Sequence, residues 1–447
     1  MSENKELAPA KDNKVKVKKE KEYDIGCVPK TFYFSFLGST IIVPIVSFFL
    51  NIKVKPDKEF MEHEGPIIVL ANHESYLDPM VINKLTGARK ANFVCGEFVF
   101  RKNPWGRWFK LGGAIPKKQF VVDTVSVKSM MKVMKRGGVL IIFPEATRSV
   151  DGSTIEFDDG VAKMAKKVNA SIYIAHFHGA YLSWPRWSES GRRPGKITAE
   201  FVRKIYSDEV AASTTEELQQ KILDGIKYNE NDWIRQNPRN FRSSKPAAGL
   251  QNIAYACPKC GKEFTMRYLD SGKHDLIQCN NCGNAARILP TGLLEGADVG
   301  CEVFDDLHKW VLWERQLIRK QIEDGTFSMT LDANLFKKWD ELSFCNTGRG
   351  KVYIADGKIR YVGTDCPSED GIPYKKGKVR AGYKNRTLDG VSRPREVEFD
   401  MKTMRGLVVS YGKYFEIYSK EGELFRFYVD GQQVFKIHEA VEYYCKK

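Results

Sequence analysis

Two short runs carry side chains of the kinds that move protons and hold phosphates. In Asn72-His73-Glu74-Ser75-Tyr76-Leu77-Asp78 an imidazole stands five residues before a carboxylate. On one regular helix five steps rotate by about 140°, so the two side chains would diverge. They meet if His73 lies on a loop at a strand end and Asp78 lies one turn into the helix that follows. The carboxylate then fixes the tautomer and stabilises the imidazolium, which leaves the other ring nitrogen as a general base. In Phe143-Pro144-Glu145-Ala146-Thr147-Arg148-Ser149 a carboxylate and a guanidinium stand three residues apart. On a strand-end turn the guanidinium suits a phosphate bidentately, while the carboxylate accepts from hydroxyls or orients the arginine. Taken singly, each run also has a plain structural reading: an ordinary structural or exposed histidine, and a Glu–Arg pair capping a turn.

A third set is of another kind. Cys257-Pro258-Lys259-Cys260-Gly261 and Cys279-Asn280-Asn281-Cys282-Gly283 are two C-x-x-C-G knuckles separated by eighteen residues. The two-residue gap lets both thiolates of a knuckle point at one ion, and the glycine tolerates the positive φ of the turn. Four cysteines at this spacing predict a closed tetrahedral four-thiolate site, like a zinc ribbon. Zinc is the default, and iron in a rubredoxin-like setting uses the same ligands. A closed site leaves no position for substrate, so the metal is structural. His274, between the knuckles, reads as an exposed loop residue. The other six cysteines are scattered, and no secretory leader is seen, which points to a reducing compartment.

These runs need elements to position them. From residue 66 short apolar stretches alternate with helical ones: 66–71, 92–95, 139–143 and 171–177 read as strands, 123–136 and 158–168 as helices. Val161, Met164, Ala165 and Val168 form one stripe of the second helix. Near-continuous apolar strands alternating with helices predict an α/β domain with a largely parallel sheet buried on both faces. In such sheets ligands gather at the carboxyl ends of strands, where both runs fall.

In this order the runs resemble those of the glycerolipid acyltransferases, whose best-known members are the lysophosphatidic acid (1-acylglycerol-3-phosphate) acyltransferases. The family's N-H-x-S-x-x-D block is matched by Asn72, His73, Ser75 and Asp78, and its F-P-E-G-T-R-S block except for Ala146 in place of Gly. Gly113-Ala114-Ile115-Pro116 looks like the G-x-I-P segment; where an arginine usually follows, this chain has Lys117, Lys118 and Gln119. The fourth block, an apolar strand usually holding prolines, is met weakly by 170–179. The resemblance covers residues 56–210 and implies transfer of a fatty acyl group from a coenzyme A or carrier-protein thioester to a hydroxyl. The acceptor it implies is lysophosphatidic acid or a related lysophospholipid, giving phosphatidic acid or a diacyl phospholipid. His73 would be the base and Asp78 its orienter, with no serine or cysteine nucleophile. Asn72, Ser75, Glu145 and Thr147 would line the substrate, with Glu145 on the glycerol or ordering the arginine; Arg148, Lys117 and Lys118 would hold the phosphate. The departures at Gln119 and Ala146 leave another headgroup, or a bare glycerol phosphate, open as acceptor.

The rest of the chain frames this domain. At 447 residues it is too long for one ordinary domain, and 42% hydrophobic with 28% charged residues excludes wholesale disorder. The net charge of +15 favours anionic partners; between Lys84 and Arg136 thirteen Lys/Arg face only Glu97 and Asp123. Residues 1–24 read as a disordered charged tail and 25–55 as an apolar membrane-anchoring segment, whose stretch 31–52 carries no charge. Pro44 leaves a kinked span, two interfacial helices or a buried core helix as its forms. An acyltransferase domain over 56–228, a linker over 229–251, a zinc ribbon over 252–295 and an amphipathic helix over 296–325 follow. Short strands and a C-terminal helix over 326–447 resemble a pleckstrin-homology-like domain. The protein is thus expected on a membrane with its catalytic domain on the cytoplasmic side, among membrane lipids, with an acyl carrier protein as a further candidate partner. The alternative is a membrane-tethered scaffold with an inactive acyltransferase fold. Nucleic acid is set aside, since 257–290 shows no basic-aromatic stripe.

Overall fold

The structure, a computed structural model, describes residues 37–38, 40–87, 89–101, 105–270, 275–339, 343–375 and 384–446. The expected tail 1–24 and His274 lie outside the described residues.

Ile67–Ala71 (β1), Asn92–Gly96 (β2), Ile115–Lys117 (β3), Val139–Ile142 (β4), Ser171–His178 (β5) and Thr198–Ile205 (β6) form one sheet in the order β3-β2-β4-β1-β5-β6. Every pair is parallel except β5 with β6. Alternation along the strands splits the apolar side chains between two faces. Ile68, Leu70, Leu140, Ile172 and Ile174 pack under the helices Thr124–Lys135, Gly160–Val168 and Thr215–Ile226. Ile67, Val69, Ile141 and Tyr173 pack against Phe60 and against Val81 and Ile82 of the helix Asp78–Leu85. The largely parallel sheet is therefore as expected. Two strands escape the reading: β3 has only three residues, and β6 is an edge strand whose exposed positions carry Glu200, Val202 and Arg203.

Met266–Asp270 (β7), Asp275–Cys279 (β8), Ala285–Ile288 (β9) and Leu294–Gly296 (β10) make a four-stranded antiparallel sheet around the cysteine knuckles. Its core is shared with Leu307, Trp310 and Val311 of the helix Leu307–Glu323 and with Phe435. That helix begins at Leu307 because the Asp306 side chain accepts the Lys309 amide, an N-cap.

Nine strands build the third sheet: Ser328–Lys338 (β11), Ser343–Ala355 (β12), Lys358–Asp365 (β13), Gly371–Lys375 (β14), Lys384–Gly390 (β15), Arg393–Asp400 (β16), Val408–Ser410 (β17), Tyr414–Tyr418 (β18) and Leu424–Tyr428 (β19). They run β14-β15-β12-β11-β19-β18-β17, with β13 and β16 continuing from the second half of β12. Asp356 and Gly357, at φ +52° and +75°, form the two-residue turn between β12 and β13 that Ala355-Asp356-Gly357 predicts. The helix Gln433–Cys445 closes the sheet through Val434, Ile437 and Val441.

One expectation changes. The stretch 229–251, expected as a linker, holds the helix Glu230–Gln236 and buries Ile234, Phe241, Ala247 and Leu250. Its basic character misleads because Arg235 is spent on Asp305 and Asp306. Residues 25–36 and 39 of the expected anchoring segment lie outside the described residues, among which no helix is long and apolar enough to cross a membrane. Pro44 sits near the start of the short helix Val43–Phe49. Phe48 and Phe49 on that helix are 72% and 73% exposed.

Candidate active site

Strands β1 and β4 are neighbours, with Leu70 level with Ile142, so their C-terminal loops leave the sheet side by side. The Ser149 amide donates to the His73 carbonyl over 2.7 Å and ties the two loops together. His73 lies on the loop and Asp78 opens the helix Asp78–Leu85, as the spacing requires. His73 Nδ1 stands 2.7 Å from Asp78 Oδ2. The fully buried carboxylate also accepts the amides of Glu74 and Ser75 and the Ser75 hydroxyl. Held this way, Asp78 receives N–H from Nδ1, so the lone pair of neutral His73 sits on Nε2. Burial lowers the His73 pKa against the pull of Asp78, and the charges of Arg148 and Arg186 lower it further. The ring stacks on Phe143 with centroids 4.5 Å apart. The result is a neutral base with a fixed tautomer.

The second loop supplies positive charge. The Arg148 guanidinium lies 3.6 Å over the ring of Tyr76, and its Nη1 is buried without a hydrogen-bond partner. An unsatisfied charged donor beside the base is a ready anion contact. Ala146 adopts φ +57°, the left-handed conformation that glycine takes without cost, and the Gln119 side chain donates to its carbonyl over 2.6 Å. The position after β3 thus braces the β4 loop. Lys117 and Lys118 lie at that same end of β3, on the carboxyl side of the sheet.

Several residues expected at the substrate are held by hydrogen bonds within the protein. Asn72 is fully buried; its amide exchanges hydrogen bonds with the Phe177 backbone and donates to Glu74. Ser75 spends its hydroxyl on Asp78 and on the Leu77 amide. Both oxygens of Glu145 accept backbone amides, from His73 and Ile155, each over 3.0 Å. Burial raises its pKa to about 8 against those two bonds. Glu145 is thus tied to the backbone of His73 and of Ile155. The Thr147 hydroxyl accepts from Arg186. Asn72, Ser75 and Glu145 complete backbone hydrogen bonding in a buried corner, a duty that a linear motif cannot display.

Two further residues of the site are Glu74, at an unspecified position of the first run, and Glu230, far from either run. Glu74 is buried with one oxygen unpartnered; burial, then the charges of Glu145, Glu230 and Asp78, raise its pKa well above the ordinary carboxylate range. Glu230 holds the Gly179 amide at the start of the turn after β5, and burial lifts its pKa to about 8. Nothing in the local sequence marks either one.

Comparison with known proteins bears on this geometry. Residues 52–175 match the Acyltransferase family model. Two chloroplastic 1-acyl-sn-glycerol-3-phosphate acyltransferases are similar to the chain. The one from Brassica napus is 27% identical over 167 residues, 36% of this chain and 47% of its own. The one from Arabidopsis thaliana is 25% identical over 182 residues, 40% and 50%. The chain thus spans about half the length of the curated relatives it matches. The crystal structure of the 1-acyl-sn-glycerophosphate acyltransferase of Thermotoga maritima is 19% identical, covering 45% of this chain and 82% of that one at a TM-score of 0.35. The matched segment holds both motif loops and the strands β1 to β5 as far as Ala175.

The four knuckle cysteines also meet. Their sulfurs all lie within 4.8 Å of one another, with Cys257 and Cys282 at 3.6 Å and Cys260 and Cys279 at 3.8 Å. A tetrahedron of zinc–sulfur bonds of about 2.3 Å has edges of about 3.8 Å, so the cluster suits one ion. Gly261 and Gly283 take φ +70° and +76°, as the knuckle turns require. Asn284 Nδ2 lies 3.6 Å from Cys257 Sγ, a second-layer donor to a thiolate.

Proposed function

We propose that this chain is a membrane-associated O-acyltransferase that moves a fatty acyl group from an acyl thioester to a hydroxyl of lysophosphatidic acid or a related lysophospholipid. The reading is carried by one observation: a neutral, Asp-oriented imidazole beside an arginine with an unpartnered buried donor, at adjacent strand ends. His73 Nε2 takes the proton of the acceptor hydroxyl as its oxygen attacks the thioester carbonyl. Asp78 stabilises the imidazolium so formed. When the tetrahedral intermediate collapses, the carbon–sulfur bond breaks and the imidazolium returns its proton to the thiolate. No covalent acyl-enzyme is needed. Arg148, with Lys117 and Lys118 on the neighbouring loop, holds the acceptor phosphate.

The amphiphilic substrates place the enzyme on a bilayer, with the catalytic domain on the cytoplasmic side. Ile45, Phe48 and Phe49 are exposed on the helix Val43–Phe49, and Lys53 and Lys55 follow it, a combination suited to an anionic lipid surface. The cysteine cluster holds a structural zinc ion; a closed site adds rigidity and no reactive position. The test is incubation of the detergent-solubilised chain with acyl-coenzyme A and lysophosphatidic acid, following free thiol and two-chain lipid. Acceptor-dependent product that vanishes in His73→Ala supports the reading. Product at the same rate in both proteins overturns it.

A further inference from the structure

Arg186 lies outside every motif, in the turn after the short helix Ala180–Ser183 that follows β5, and no local pattern distinguishes it. In the structure its Nη1 donates to the Thr147 hydroxyl over 2.5 Å and approaches the Arg148 carbonyl at 3.5 Å. Its Nη2 donates over 2.7 Å to the carbonyl of Val409 in β17, in the C-terminal domain. Its guanidinium carbon lies 4.8 Å over the ring of Tyr411, from the same domain. None of these bonds uses Nε. The Arg186 charge bears on both His73 and Arg148 and lowers the pKa of each, so three basic groups stand close together. Arg148 Nη1 is meanwhile buried with no acceptor. Like charges held together beside an orphaned donor are costly unless an anion joins them.

The same segment of the C-terminal domain touches the other anion-facing loop. A Cβ on Gly406 would fall 2.3 Å from a ring carbon of Phe120, which directly follows Lys117-Lys118-Gln119. The residues 406–411 therefore brace both loops on the carboxyl side of the parallel sheet.

We propose that Arg186, held by the Val409 carbonyl and the Tyr411 ring, is a second phosphate-binding guanidinium beside Arg148, so that the C-terminal β domain builds part of the acceptor site. The inference rests on the acyl-transfer reading for its substrate, and it assigns the phosphomonoester, not the thioester donor, to this pair. A planar fork on each side of a phosphate supplies paired charge-assisted bonds, and it rejects acceptors without the charge.

The experiment is steady-state kinetics of the full chain with lysophosphatidic acid and with uncharged monoacylglycerol, beside Arg186→Gln. Loss of a charge-assisted pair is expected to raise the KM for lysophosphatidic acid by about 10- to 100-fold. The KM for the thioester should stay unchanged, and the preference over monoacylglycerol should narrow by the same factor. An equal loss on both acceptors, or an unchanged acceptor KM, overturns the proposal and leaves Arg186 as a domain strut. Where Arg186→Gln fails to fold, Arg186→Lys keeps the charge without the fork, and the same split between acceptors decides. If the wild type acylates no acceptor, the function falls first, and calorimetric titration with glycerol 3-phosphate judges the clamp alone. Binding in the wild type that Arg186→Gln abolishes sustains it; no binding, or equal binding in both, overturns it.

Discussion

His73 acts as a base only while its imidazole is neutral, and burial favours that state against the pull of Asp78. Activity is therefore lost as pH falls through a His73 pKa depressed below the ordinary histidine value. Asp78→Asn removes the partner that raises this pKa, so the acid limb of kcat/KM is expected to move to lower pH. At the same time kcat falls by about 10²- to 10⁴-fold, because the imidazolium loses its counter-charge. An acid limb that moves upward in a pH–rate profile would contradict this electrostatic ordering. Ala146 offers a second test at this scale. A left-handed alanine costs about 1–2 kcal/mol, while glycine costs about 0.4–1 kcal/mol in the unfolded chain. Ala146→Gly is thus expected to gain roughly 0.8 kcal/mol in urea unfolding, the difference of those two costs, and to retain acyl transfer.

At the scale of elements, the cysteine sheet is not an isolated appendage. Cys257 and Cys279 belong to the same core as Trp310 and Phe435, and the Trp310 indole donates to the Ala256 carbonyl over 3.1 Å. Metal analysis is expected to find one equivalent of zinc per chain, lost in Cys279→Ser. Because binding energy at such a site is folding energy, the substitution or a strong chelator should lower the thermal midpoint. The near-ultraviolet circular dichroism of Trp310 should change with it. Retention of both signals without metal would show that the apolar core alone holds this sheet.

Across the whole molecule, one partly buried chain of charges joins the loop after β4 to the C-terminal helix. Asp151, two residues past Ser149, pairs with His308 at 2.9 Å and lies 3.7 Å from Arg315, whose Nε reaches Glu439 at 2.6 Å. The bond to Asp151 raises the His308 pKa; burial pushes Asp151 up, but His308 and Arg315 outweigh it and hold it low. The His308 contribution is full below its unfolded value near 6.5 and is lost as pH rises through the elevated folded value. The Asp151 contribution is present above its unfolded value near 3.8 and is lost as pH falls through its depressed folded value. Asp151→Asn is expected to cost about 2 kcal/mol in urea unfolding near neutrality, by removing the charged acceptor of the half-buried His308 while Arg315 keeps Glu439. It should also abolish the loss of stability on the alkaline side. An unchanged pH dependence would place the coupling between domains elsewhere.

Local chemistry made much of this molecule legible in the linear sequence. The apolar runs of β1, β4 and β5 announce a buried parallel sheet, and the five-residue step from His73 to Asp78 announces a loop-to-helix dyad. The two knuckles with Gly261 and Gly283 announce a four-thiolate cluster. Each signal is complete within a few residues, so periodicity and spacing suffice. The hydrogen bonds of Asn72, Ser75 and Glu145 depended on which backbone amides surround them, and the packing of 229–251 on distant partners for Arg235 and Phe241. Arg186 is the clearest case, because its neighbours Thr147 and Val409 stand 39 and 223 residues away in the chain. A side chain's type and spacing are local properties, whereas the acceptors and charges around it are set only when remote segments close over it.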